Sequence, residues 1–159
     1  MCEKTGGRVV DVVDFKEIPG WWPVCGNGDC PMAGGCLRHA AWQNVPPTVT
    51  KWPCVLPTAL KDGKCNYFAP KEKVRMARGF ENMFARVRSR DARAEMRLAI
   101  TNYLGSKGTY YRYKHGERQL NPERQQWILQ LFSRYGYDSE ELLFDEYVVS
   151  YDFNNGYEE

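Results

Sequence analysis

The sequence predicts an α+β protein, mainly α. An irregular N-terminal part rich in cysteine, proline and glycine packs on a helical C-terminal part, with a small sheet formed from the two ends of the chain. Three observations lead there. Eight of the nine prolines lie between Pro19 and Pro70, interleaved with Gly20, Gly26, Gly28, Gly34 and Gly35. Proline fixes φ and lacks a donor, so long regular elements do not fit that stretch. Behind Pro70, apolar residues recur every three to four positions, the period of a helix with one buried face. Near the ends, RVVDVVDF (8–15) and LLFDEYVVSYDF (142–153) gather β-branched and aromatic residues as strands do.

Taken in order, residues 8–15 read as a strand and residues 19–70 as irregular, apart from a short helix at 35–43. Val74, Ala77, Phe80, Phe84 and Val87 mark one helical stripe, with Arg75, Arg78, Arg86 and Arg88 around it. Ala92, Met96, Ile100 and Tyr103 mark a second, from Asp91 to Leu104, which Gly105 stops. A short helix from Thr109 to His115 is closed by Gly116. Asn121 followed by Pro122 starts the last helix, since Asn caps free amides and Pro fits the first helical position. Trp127, Ile128, Leu131, Phe132 and Tyr135 form its buried face, and Gly136 ends it. Residues 142–153 then pair with 8–15. The 159 residues suffice for one core, with parts at 1–70 and 71–159 of a single folded unit.

Net charge is +2, unevenly spread: residues 1–70 carry 7 basic and 6 acidic side chains, 71–134 carry 15 and 6, and 135–159 carry 0 and 8. A cationic middle attracts polyanions, and an acidic tail either folds back on it or projects as a solvated end. No stretch reaches the roughly 20 apolar residues of a membrane helix, and no basic-then-apolar leader is present, so the expected location is cytoplasmic, without a membrane partner. The chain contains no Gly-rich phosphate loop, no Ser-His-Asp set and no HExxH, so no enzyme is expected.

In a reducing compartment the six cysteines, all before residue 66, suit metal better than disulfides. Cys25, Cys30 and Cys36 are spaced C-x4-C-x5-C among glycines that let loops converge on a tetrahedral ion. Cys65 is the leading fourth ligand, with Cys54 and His39 as alternatives. Zinc ranks ahead of an iron-sulfur cluster. The competing reading is that free cysteines pack as small hydrophobes. Catalytic thiol chemistry would have only His39 and His115 as bases.

Met96 to Tyr135 resembles the Cro and phage-repressor class of helix-turn-helix domains. Leu104-Gly105 ends one helix, Ser106 to Gly108 forms the turn, Thr109 to His115 forms the second helix, and T-x-x-R-x-x-x-G is matched by Thr109, Arg112 and Gly116. The turn is one residue short, residues 72–88 match the first helix of the class weakly, and Tyr110 and Tyr111 stand where smaller residues are usual. The resemblance implies a DNA-binding regulator or accessory protein. Lys107, Thr109, Tyr110 and Arg112 would meet base edges, and Lys114, Arg118 and Arg124 would meet phosphates. The alternative is an adaptor that uses these helices as scaffold for a protein partner.

Taken whole, CPMAGGCLRH (30–39), KCNYF (64–68), KVRMARGF (73–80), TYYRYKHGER (109–118) and FDEYVVSY (144–151) are similar to a family from gut bacteria of the Bacteroides type, defined as a domain of unknown function. That likeness implies one unit joining both halves and carries no activity.

Overall fold

The computed structural model describes residues 12–138 and 144–154, which form two compact units. One is built from the chain up to Glu72 together with the segment from Phe153; the other is Lys73–Asp152. The architecture is mixed α+β, and no helix among the described residues is long and apolar enough to cross a membrane.

The first unit is mostly irregular, as its prolines require. Its helix α1 (Leu37–Gln43) is short, and its hairpin β1 (Leu60–Lys61) and β2 (Lys64–Cys65) turns at Asp62 and Gly63, both with positive φ. Asp-Gly favours that turn because both central residues must enter the left-handed region. Trp22, Val24, Leu37, Ala41, Val55 and Ala69 are buried in it. Arg38 is buried with them, donating to the Tyr67 and Pro23 carbonyls at 2.7 Å each and lying 4.1 Å over the Trp22 ring. Without regular ladders, such long-range side-chain to backbone bonds satisfy carbonyls that would otherwise be orphaned.

The second unit begins with β3 (Lys73–Arg78), followed by α2 (Glu81–Ala85), α3 (Arg90–Leu104), α4 (Lys107–Lys114), β4 (Gln119–Leu120), α5 (Pro122–Arg134) and β5 (Glu146–Tyr151). β3 is central in an antiparallel sheet of order β4-β3-β5, paired with β5 from Lys73↔Tyr151 to Arg78↔Glu146. Phe80, Phe84, Met96, Ile100, Tyr110, Tyr113, Ile128 and Phe132 form one core beneath the helices. Burial of each large side chain contributes about 1.5–3 kcal/mol.

Helix boundaries follow local chemistry. Ser89 Oγ accepts from the Ala92 amide, Ser106 Oγ from Thr109, and Asn121 Oδ1 from Arg124, each capping the helix behind it. Gly105 lies at φ 101°, ending α3 where a side chain would be strained.

Two expectations fail. The stripe from Val74 to Val87 is not one helix: Val74 and Ala77 lie in β3, Gly79 turns the chain at φ 72°, and only five residues behind it are helical. A spacing of three to four is also met by a strand followed by a short helix, and six-residue pairing with β5 decides for the strand. β5 pairs with β3, and the described part of the expected strand 8–15 joins no ladder with it. Residues 12–14 form no regular element and Phe15–Glu17 is a single 3-10 turn, while 8–11 lie outside the described residues. The acidic tail is described only in part, since 139–143 and 155–159 lie outside the described residues.

Candidate functional site

In the first unit, the loop from Cys25 to Cys36, helix α1 and hairpin β1-β2 bring side chains from distant positions to one small cavity. Cys25, Cys30, Cys36, Cys65 and His39 line it together with Phe68 and Arg38. Its volume is about 20 Å³. A void needs roughly 10–15 Å³ to admit one water, so this one has room for a single water-sized or ion-sized occupant. Cys54, considered as a ligand, is exposed, donates its thiol to the Val55 carbonyl at 3.4 Å and does not line the cavity.

The imidazole is oriented. His39 Nδ1 lies 3.0 Å from the Cys25 carbonyl oxygen, which can only accept, so Nδ1 donates the hydrogen of that bond, and in the neutral ring Nε2 is the nitrogen that can ligate. Burial pushes the Cys25 thiol above its ordinary value, the Asn27 amide partly offsets this, and the neighbouring Cys36, Cys54 and Cys65 push it further up. The thiols line one void, yet among the described residues no three ligand-type side chains are gathered at metal-binding distance. They share a cavity without forming a closed coordination shell.

In the second unit, α3 and α4 meet at the Gly105-Ser106 turn. Tyr110 and Tyr113 are each 1% exposed and anchor α4 inward, Tyr110 packing edge-on to Phe80 at 5.5 Å between ring centroids. The opposite face carries exposed Arg112, and Lys107 is exposed in the first turn. Lys114 is half-buried, with its ammonium 5.9 Å over the Tyr111 ring.

Tyr110 was expected to meet base edges; its burial removes it from that role. An aromatic side chain with so much apolar ring area gains more from the core than from the surface. Thr109 serves the cap, accepting from the Ser106 hydroxyl at 2.9 Å. Arg124 is half-buried, bonded to the Tyr113 hydroxyl and lying over its ring. Arg118 is half-buried beyond α4.

Both arrangements fall within one homologous stretch, because residues 9–153 match the family of unknown function DUF6078. The chain belongs to that family. The match spans the thiol loops and the helices alike, so family membership extends across both units and supplies no activity to either. No curated protein and no solved structure matches the chain.

Sequence reasoning missed three participants. Arg93 and Arg97 on α3 belong to no motif singled out in the sequence, yet both line a hollow with α4. Asp145 was read as part of a strand and instead caps α2 through the Glu81 and Asn82 amides at 3.0 and 2.9 Å. The i, i+4 spacing of the two arginines was a usable signal, since it places them on one helix face. Nothing local announced Asp145.

Proposed function

We propose that the chain is a nucleic-acid-binding protein, a DNA-binding regulator or accessory factor in which α3, the Gly105-Ser106 turn and α4 act as a helix-turn-helix. The observation that carries this reading is the two-sidedness of α4: Tyr110 and Tyr113 hold it from within while Arg112 and Lys107 stand in solvent. Such a helix can enter a major groove without unfolding its own core. Nine basic side chains against three acidic ones between Arg86 and Arg118 supply the surrounding field. Arg112, Lys107 and Thr109 would lie at the bases, and Lys114, Arg118 and Arg124 near phosphates.

A mobility-shift titration on mixed duplex DNA at two salt concentrations tests it. Binding should weaken as salt rises, with a log–log slope of about −0.9 for each phosphate neutralised. The double substitution Arg112→Ala and Lys107→Ala should lower affinity and relax sequence preference while leaving circular dichroism unchanged, whereas Lys114→Ala, at a phosphate, should reduce the slope by about 1. Absence of salt-sensitive binding at micromolar protein would transfer the helices to the scaffold role of an adaptor.

A structural metal ion in the first unit is the second part of the reading, and the shared cavity of Cys25, Cys30, Cys36 and Cys65, with His39 beside them, supports it. Zinc suits this thiolate-imidazole set best, with an iron-sulfur cluster as the lesser candidate. Ligation would require the loops to draw inward, and Gly34 and Gly35, with nothing within 4 Å of an added Cβ, leave room for that movement. Metal analysis of untagged, anaerobically purified protein should return close to one equivalent, lost in Cys30→Ser. Because the Cys25 thiol is held protonated, uptake should release protons and weaken as pH falls. Less than about half an equivalent of zinc plus iron would rule the ion out as a structural component.

A further inference from the structure

Where α2, α3 and α4 meet, Glu81, Phe84, Arg93, Arg97, Tyr110 and Lys114 line an open hollow of about 230 Å³. Three of the six are cations and one is an anion. That anion is already engaged, since Glu81 Oε1 lies 3.0 Å from His115 Nδ1. Donors in the walls lack acceptors. Tyr110 is 1% exposed, and its hydroxyl oxygen faces the Arg97 guanidinium, which can only donate, so the hydroxyl hydrogen has no acceptor among the described residues. Arg93 donates one terminal nitrogen to the Val87 carbonyl, yet its Nε is buried without a partner. Buried donors find acceptors in the great majority of cases, so two donors without one on residues of one hollow call for a physical reason. Surplus positive charge with unused donors is the complement of a compact, acceptor-rich anion.

We propose that this hollow receives a phosphate group, with Arg93, Arg97 and Lys114 neutralising its charge and the Tyr110 hydroxyl donating to one of its oxygens. A phosphate offers acceptors in several directions and takes two parallel bonds from a guanidinium, which a halide cannot. The volume leaves space for the group that carries the phosphate. The phosphate could belong to a nucleic-acid backbone or to a free phosphorylated compound. Arg97 and Tyr110 also line the adjoining hollow with Lys107 and Tyr111, which places the site beside the exposed face of α4. The inference does not rest on the DNA-binding reading, with which it shares only Lys114.

Calorimetric titration of the full chain with inorganic phosphate and with pyrophosphate, at constant ionic strength, tests the free-ligand source; a 20-base-pair duplex tests the backbone source. Arg97→Ala removes an exposed guanidinium, Tyr110→Phe keeps the buried ring and deletes only the hydroxyl, and Arg134→Ala on α5 serves as a cation control outside the hollow. If the ligand is free, phosphate or pyrophosphate saturates the protein, Arg97→Ala weakens binding about tenfold or more and Tyr110→Phe several-fold, and the control stays within twofold. If the source is nucleic acid, neither small anion saturates, and Arg97→Ala and Tyr110→Phe each lower duplex affinity more than the control does. The proposal is overturned if neither ligand separates these variants from Arg134→Ala while all three retain the wild-type circular dichroism. Arg112→Ala distinguishes the two readings, since it should weaken duplex binding and leave inorganic phosphate untouched.

Discussion

Asp145 shows how much one side chain can settle. Its carboxylate accepts the Glu81 and Asn82 amides, and its own amide donates to the Gly79 carbonyl at 3.1 Å. Helix α2 has no side-chain cap of its own, because Phe80 stands at its N-cap. Free amides at a helix start favour a negative charge, so a carboxylate more than sixty residues away completes a five-residue helix that propensity alone would not sustain. Asp145→Ala should cost about 1–2 kcal/mol in urea unfolding, with Asp145→Asn costing less. Gly79 belongs to the same contact: it sits at φ 72°, and an added Cβ would collide with the Asp145 carboxyl group. Gly79→Ala should therefore be at least as damaging. A midpoint shift no larger than that of the exposed Asp138→Ala would refute this account. The residue type was visible in the chain, but its partner was not, because capping from a distant segment leaves no local pattern.

At the scale of elements, α3, α4 and α5 were legible because their signals are local. Ser89, Ser106 and Asn121 cap amides three residues ahead, and Gly105, Gly116 and Gly136 take up positive φ at or just past the ends. β3 was not legible. Its apolar spacing fits a helix as well as a strand, and the choice falls to β5, some seventy residues later. A central strand paired on both sides opens only with the sheet, so the amides of Lys73–Arg78 that bond to β4 and β5 should exchange as slowly as the most protected amides of α5. Those of α2 should exchange faster, since that helix is a single capped turn. Rapid exchange across 73–78 in native-state hydrogen exchange would show that the ladder is not a stable element.

For the molecule as a whole, the chain returns to its first unit at its end. Phe153 packs edge-on to Trp22 with ring centroids 5.2 Å apart, so a residue beyond β5 closes a core begun near residue 22. Aromatic pairs of this geometry contribute about 0.5–1.5 kcal/mol beyond area burial. Phe153→Ala should lower the stability of the first unit by at least that amount, seen as loss of tryptophan fluorescence shift at lower urea than in the wild type. An unchanged fluorescence midpoint would mean the contact carries no weight. Of the candidate sites, the cysteines and the cations of α4 stood out in the chain because unusual composition and charge are visible without coordinates. The sequence by itself determined the helix starts and stops, the irregularity of the proline-rich part and the residue types available for thiol or polyanion chemistry, all of which act within a few positions of the chain. Only the tertiary structure decided the β3–β5 pairing, the inward turn of Tyr110, the capping by Asp145 and the gathering of Arg93 and Arg97 with Lys114. Each of these depends on which distant segment supplies the lowest-energy partner, and neither spacing nor propensity encodes that competition.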